Sequence, residues 1–329
     1  MLWWALDDIR LQVTGRSARF SQVVVELAWN PGAGPAAAGA VEEVARGMAN
    51  APWLGAPIGS VVLVAAGGEA HPGVGPAVGT VRELWPAAVV RVVDEALAAV
   101  LGAGLAAEPA ACVVVHQDAE RTSVAVVAGR EVVAGGLAVG GARGLATALI
   151  GHLRAAHRLD VGPQMAWASV VHGGAFAPSP WVSEPGPVYG SVVPWDGSGP
   201  REPGRATLQP AETRAVLTPA YLRVAELVTR VLRDAPPEVV RQAAVGGLLL
   251  TGPHPPGADL HLAGLTGLPA QAVAEPGRGA HRPLVLLDGV ARLLAESPPE
   301  PALGDPAEAE QRLRDALARL TALLGGAPR

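Results

Sequence analysis

Residues 113–162 read VVVHQDAERTSVAVVAGREVVAGGLAVGGARGLATALIGHLRAAHRLDVG. Residues 113–115 form a short apolar run, and residues 123–128 are apolar and largely β-branched. Gly129 and Arg130 mark a turn, after which residues 131–134 resume the extended pattern. Strands joined by a tight turn are the simplest reading. Beyond Gly140 and Gly141 the period changes: Leu145, Leu149, Ile150 and Leu153 recur at helical spacing, with Arg143, His152 and Arg154 off that face. The predicted order is strand, loop, strand, turn, strand, glycine pair, amphipathic helix.

On the N-terminal side, residues 3–6, 9–13 and 22–27 read as three short strands, with only Asp7 and Asp8 between the first two. Residues 30–38 form a Pro/Gly/Ala linker, and residues 41–48 a short helix. Residues 60–65 (SVVLVA) read as a buried strand, residues 89–93 as another, and residues 96–101 as a helix. On the C-terminal side, residues 163–209 are rich in Gly and Pro and carry Trp167, Trp181 and Trp195. A structureless loop of that length is unusual in a compact domain, so a small, poorly regular subdomain is expected. Residues 220–232 predict an amphipathic helix with Leu222, Ala225, Leu227, Val228 and Val231 apolar; residues 248–250 predict a core strand and residues 285–294 a closing helix. A Pro-rich linker, residues 297–306, precedes a last helix from Glu308 to Leu324, with Leu313, Leu317, Leu320 and Leu324 on one stripe. That helix either packs on the body or binds a partner.

With 329 residues the chain can bury a sizeable core. No run approaches the roughly 18 apolar residues of a membrane helix. The start, MLWWALDD, has neither a basic n-region nor an apolar h-region, so a cytoplasmic chain is expected. A net charge of −5 offers no electrostatic case for nucleic acid. There is no lysine, which removes P-loop and Schiff-base chemistry. The single cysteine, Cys112, flanks an apolar strand and reads as inert core. Intrachain disulfides and a cysteine-based zinc site are excluded.

The stretch 113–162 resembles the second nucleotide-binding half of the actin-like fold, and closely the bacterial rod-shape MreB family. Within the segment 113–127 that family's VVDIGGGTTEVAVI pattern lies without a gap; its Asp falls at His116 and its three glycines fall at 118–120. The run VVDEALAAVLGAGL matches its LIEEPMAAAIGAGL, and APPEVVRQAAVGGLLLTG its TPPELAADIxxRGIxLTG. The likeness covers about residues 58–162 and 207–294. It implies a two-lobed α/β fold of the actin, hexokinase and chaperone ATPase class, with duplicated RNase H-like domains and reduced small subdomains. The first lobe would span 1–110, with subdomain IB largely missing. The second would span 111–296, with an irregular subdomain IIB at about 163–209, followed by the linker and helix of 297–329.

The family's ATP site has three clamps, and each is altered here. The first, a loop of the type DLGTxNT, has only Asp7 and Asp8 in its place, too little to wrap phosphate with backbone N–H groups. In the second, DIGGGTT becomes HQDAERT: the metal-associated Asp is His116, and two glycines are Asp118 and Glu120, expected to aim carboxylates at the phosphates. Two like charges about 4 Å apart repel by roughly 1–4 kcal/mol. In the third, LTGGGA becomes LTGPHP, so Pro253 removes an N–H and fixes φ, and His254 follows it. Thr122, Gly140, Gly141 and Gly252 persist as vestiges of the site, the glycine pair read as kept for backbone geometry. Asp94 and Glu95 occupy the family's Glu-Glu pair, with a solvated strand end as the plainer reading. His116, His254 and Asp118, on opposing lips of the inferred cleft, are read as polar residues rather than metal ligands. No GxSxG elbow and no GxGxxG fingerprint is present.

The resemblance thus implies a non-enzymatic, cytoskeletal partner in cell shape or cell-wall morphogenesis: a pseudo-ATPase with no cofactor. The alternatives are a divergent ATPase that binds Mg-ATP and polymerises, or a scaffold on an actin-like fold. Expected partners are MreB-type filaments or morphogenesis proteins, met in the cytoplasm or at the inner membrane face, where Trp3 and Trp4 could touch lipid; a buried first strand is the plainer account of those two residues.

Overall fold

The computed structural model describes residues 5–6, 9–16, 21–27, 58–70, 74–86, 88–105, 111–173, 175–176, 186–193 and 202–273, and 285–286, 289–290 and 292–293 near the C-terminus. The predicted linker at 30–38, the helix at 41–48, Trp3, Trp4, Trp181, Trp195 and the helix from Glu308 to Leu324 lie outside these residues. The chain divides into two compact units, one of residues 1–102 and 286–329, the other of residues 103–285.

The first unit holds a five-stranded sheet of β1 (Ala5–Leu6), β2 (Ile9–Arg16), β3 (Ser21–Leu27), β4 (Ile58–Ala65) and β5 (Val89–Asp94), in that spatial order. β1, β2 and β3 form an antiparallel meander, and β3, β4 and β5 run parallel. Residues 61–65 of β4 are all buried, as expected of a strand covered on both faces of a parallel sheet. Helix α1 (Val74–Leu84) makes the crossover from β4 to β5, and α2 (Glu95–Gly102) follows β5. Sequence reading missed α1, because Gly75, Pro76 and Gly79 are poor helix formers. Pro76 sits in the first turn, where its missing N–H costs nothing, and Val74, Ala77 and Val81 bury one face. The strand beside β4 is β3, and β1 is at the sheet edge.

The second unit is built on a sheet of order β13-β12-β6-β7-β8. β6 (Cys112–Gln117), β7 (Arg121–Ala128) and β8 (Glu131–Val139) form the predicted meander; β12 (Leu248–Thr251) and β13 (Ala270–Ala272) extend it in parallel beside β6. Val113, Val115, Val124 and Val126 point into a core shared with Leu145, Leu149 and Leu153 of α3 (Ala142–His157). Burial pushes the Cys112 thiol up to about 11, which keeps it protonated and inert.

The described residues of 163–209 form regular elements where the sequence reading expected little order. Helix α4 (Pro163–His172) starts with proline at its first position, where proline is favoured. β9 (Leu159–Asp160), β10 (Gly186–Val192) and β11 (Pro203–Leu208) form a three-stranded antiparallel sheet. Helix α5 runs from Pro210 to Asp234, ten residues before the predicted start. Pro219 lies inside the helix, and the start is marked by a capping box between Gln209 and Glu212. The buried stripe of α5 is Leu217, Tyr221, Val224, Leu227, Val228 and Val231, whereas Leu222 is 44% exposed and belongs to the outer face. Helices α6 (Pro237–Gly246) and α7 (Ala258–Thr266) flank β12 in sequence. Among the described residues, no helix is long and apolar enough to cross a membrane.

Candidate functional site

The altered second and third clamps meet at the C-terminal ends of β6 and β12, which lie side by side. His116 is in register with Thr251, and its Nδ1 lies 2.9 Å from Thr251 Oγ1. Both residues are buried. His116 and the residues after Thr251 are thus neighbours on one sheet, not groups on opposing lips of a cleft.

The turn between β6 and β7 is closed by its own first residue. Asp118 Oδ1 accepts the backbone N–H groups of Glu120 and Arg121, each at 2.7 Å. Its Oδ2 lies 2.9 Å from Arg121 Nε, with the two side chains only 5% and 3% exposed. Glu120 reaches the other way, to Arg143 Nη1 at 2.8 Å. The expectation that Asp118 and Glu120 project two bare carboxylates is therefore corrected: each faces an arginine. Arg121 and Arg143 were not singled out in the sequence. The signal was present, since an Arg three residues after an Asp can fold back on it across a tight turn.

The start of α3 is closed in the same manner. A helix N-terminus offers free N–H groups to anions. Here the Ala142 N–H donates to Asp118 O at 2.8 Å and the Arg143 N–H to Ala119 O at 2.7 Å. The turn is pressed against the helix so closely that a Cβ on Gly141 would sit 2.2 Å from Asp118 O. Gly141 is required by this approach; Gly140, at φ +109, supplies the bend before it. Thr122 is buried within β7.

After Thr251 the chain turns at Gly252, with φ +80, and a Cβ there would meet Gln117 O at 1.9 Å. Pro253 is buried. His254 Nδ1 lies 2.7 Å from Gly252 O. A carbonyl only accepts, so Nδ1 carries the proton. Burial lowers the His254 pKa from its ordinary value, which keeps the ring neutral. Asp118 is committed to its turn and to Arg121, so His116, His254 and Asp118 do not converge as metal ligands.

Asp94 and Glu95 lie in the first unit, at the end of β5 and the start of α2. Asp94 Oδ1 accepts the Ala96 N–H at 2.8 Å, capping the start of α2, and burial raises its pKa. Glu95 is 1% exposed. Asp94 remains partly exposed.

The sheet of the second unit, a meander of three antiparallel strands continued by two parallel ones, has the RNase H-like arrangement, and the fold is actin-like. It is shared with the crystal structure of MreB5 of Spiroplasma citri bound to ADP, at TM-score 0.66 and 18% identity over 79% of this chain and 75% of that one. The AMPPNP-bound structure of the same protein gives TM-score 0.65 and 17% identity over 78% and 75%. A MamK double helical filament gives TM-score 0.57 and 16% identity over 79% and 75%. The MreB/Mbl protein family model matches residues 61–282, and the chain belongs to that family. Among curated proteins none matches it.

Proposed function

We propose that this chain is a non-enzymatic member of the MreB/Mbl family, a pseudo-ATPase that serves cell shape or cell-wall morphogenesis as a cytoplasmic partner of filaments. One observation carries the reading. The N–H groups of the β6–β7 turn, which a phosphate-wrapping loop would offer to its ligand, are held by Asp118. The chain's own carboxylate stands where an anion would bind. The N–H groups of Ala142 and Arg143 are likewise spent on the turn. No nucleotide and no magnesium ion is required by this reading. Isothermal titration calorimetry with Mg-ATP tests it. The expected result is no binding tighter than about 10 μM, roughly −7 kcal/mol; a tighter dissociation constant sinks the proposal.

The second reading is a divergent ATPase that polymerises. It draws on the structural relatives solved with ADP and AMPPNP. Assembly separates the two. Only residues 28–57 lie between β3 and β4, where the family resemblance implies the larger subdomain IB and one side of a head-to-tail contact. Such a contact needs both complementary surfaces on each subunit. The segment 163–209 retains a helix and a hairpin, so the other side is present. We expect the purified chain to remain monomeric or to form small oligomers by electron microscopy, with and without ATP. Long double protofilaments in either condition favour the second reading.

A further inference from the structure

Apart from the clamp residues, one cluster of side chains in the second unit converges on a single point. His152 and His157 lie on the C-terminal half of α3, and Glu212 is the third residue of α5. His152 Nε2 and His157 Nε2 approach the same oxygen, Glu212 Oε1, at 2.6 Å and 2.5 Å. The two rings stand nearly edge to face, with centroids 5.8 Å apart. Residues five apart are not stacked on a regular helix; the rings meet because each turns toward the start of α5. All three groups are partly exposed, at 27%, 26% and 23%. Among the described residues, this is the one group of three or more such side chains whose ligand atoms all lie within 4.8 Å of one another.

We propose that His152, His157 and Glu212 form a binding site for a borderline divalent transition metal, zinc above all. Two imidazole nitrogens and one carboxylate oxygen are a donor set that zinc accepts in tetrahedral geometry, with water or a further ligand in the fourth position. Metal–ligand bonds of about 2.0–2.2 Å put tetrahedral donor atoms about 3.3–3.5 Å apart. Each imidazole nitrogen, at 2.6 Å or 2.5 Å from Glu212 Oε1, needs to draw back from that oxygen by less than about 1 Å to admit the ion. Glu212 is fixed for the task by its place in the helix start, where its other oxygen faces the Gln209 N–H at 3.5 Å. Burial pushes the Glu212 carboxyl up, but the two imidazoles hold it below its ordinary pKa, so the ligand is the carboxylate. The plain alternative is a clasp of two hydrogen bonds from the imidazoles to one carboxylate, with no affinity for metal.

The full chain, stripped with chelator, is titrated with zinc chloride by calorimetry. One equivalent is expected to bind, and His152→Ala, His157→Ala and Glu212→Gln are each expected to weaken binding at least tenfold. Cobalt(II) added to the unaltered chain gives a second readout that needs no variant: four-coordinate ligation produces intense visible bands. Absence of stoichiometric zinc binding, unchanged affinity in all three variants, or the pale spectrum of six-coordinate cobalt overturns the site.

Discussion

Arg121→Leu is expected to lower the unfolding free energy by about 3–5 kcal/mol, the cost of leaving a buried charge without its partner. Arg121 is 2% exposed and its Nε faces Asp118 Oδ2. Removing the guanidinium strands the Asp118 carboxylate in a place water does not reach. The carboxylate cannot simply rotate away, because its other oxygen closes the turn through two backbone N–H groups. Urea titration checks the loss as a lower midpoint at similar slope. The double variant Asp118→Asn with Arg121→Leu removes both charges and keeps an oxygen for the turn N–H groups. It is expected to recover a large part of the loss, since replacing both members of a buried pair is far milder than breaking it. A single variant as stable as the unaltered chain shows that the pair is solvated in solution.

Gly252→Ala is expected to cost about 3 kcal/mol. Two terms add. The position has φ +80, which costs an L-residue roughly 1–2 kcal/mol. Its new Cβ also meets Gln117 O at 1.9 Å, so β6 and the end of β12 must move apart; overpacking of this kind costs about 1–3 kcal/mol. Gly129→Ala separates the terms. Gly129 has φ +62 but nothing within 4 Å of its would-be Cβ, and its cost is expected to stay near the conformational term alone. Thermal melts of the two variants give the comparison, at about 2–4 °C per kcal/mol for a chain of this size. Equal losses at the two positions contradict the close approach.

The meander β6–β7–β8 and helix α3 were legible because their patterns change sharply at Gly140 and Gly141. Their apolar residues are buried where the two periods put them. Other helices were hidden by residues that disfavour helix in the interior but are harmless at its start: Pro76 in α1 and Pro163 in α4. In α5 the opposite occurred. Pro219 reads as a stop, yet the helix passes through it, held by Leu217 and Tyr221 on its buried side. The candidate site was legible as a set of substitutions and illegible as geometry. Sequence shows that Asp118 and Glu120 replace glycines of the family pattern. It does not show which way a carboxylate turns, and that depends on Arg121, on the turn N–H groups and on Arg143. The cluster of His152, His157 and Glu212 was invisible because it joins residues 55 and 60 positions apart through the packing of two helices.

A tethered anion obeys different arithmetic from a diffusing one. Asp118 is separated from the N–H groups it holds by one or two residues, so it meets them at an effective concentration that no solute matches. On the proposed reading, a free phosphate compound is expected to compete with it only weakly, because each displacement breaks the Asp118–Arg121 pair and leaves the carboxylate within reach of its old position. An ordinary member of a switching family reads its surroundings through a ligand that arrives, changes and leaves. On the reading proposed above, a turn that carries its own counter-ion takes no part in such a cycle, because Asp118 already fills the place of the arriving anion.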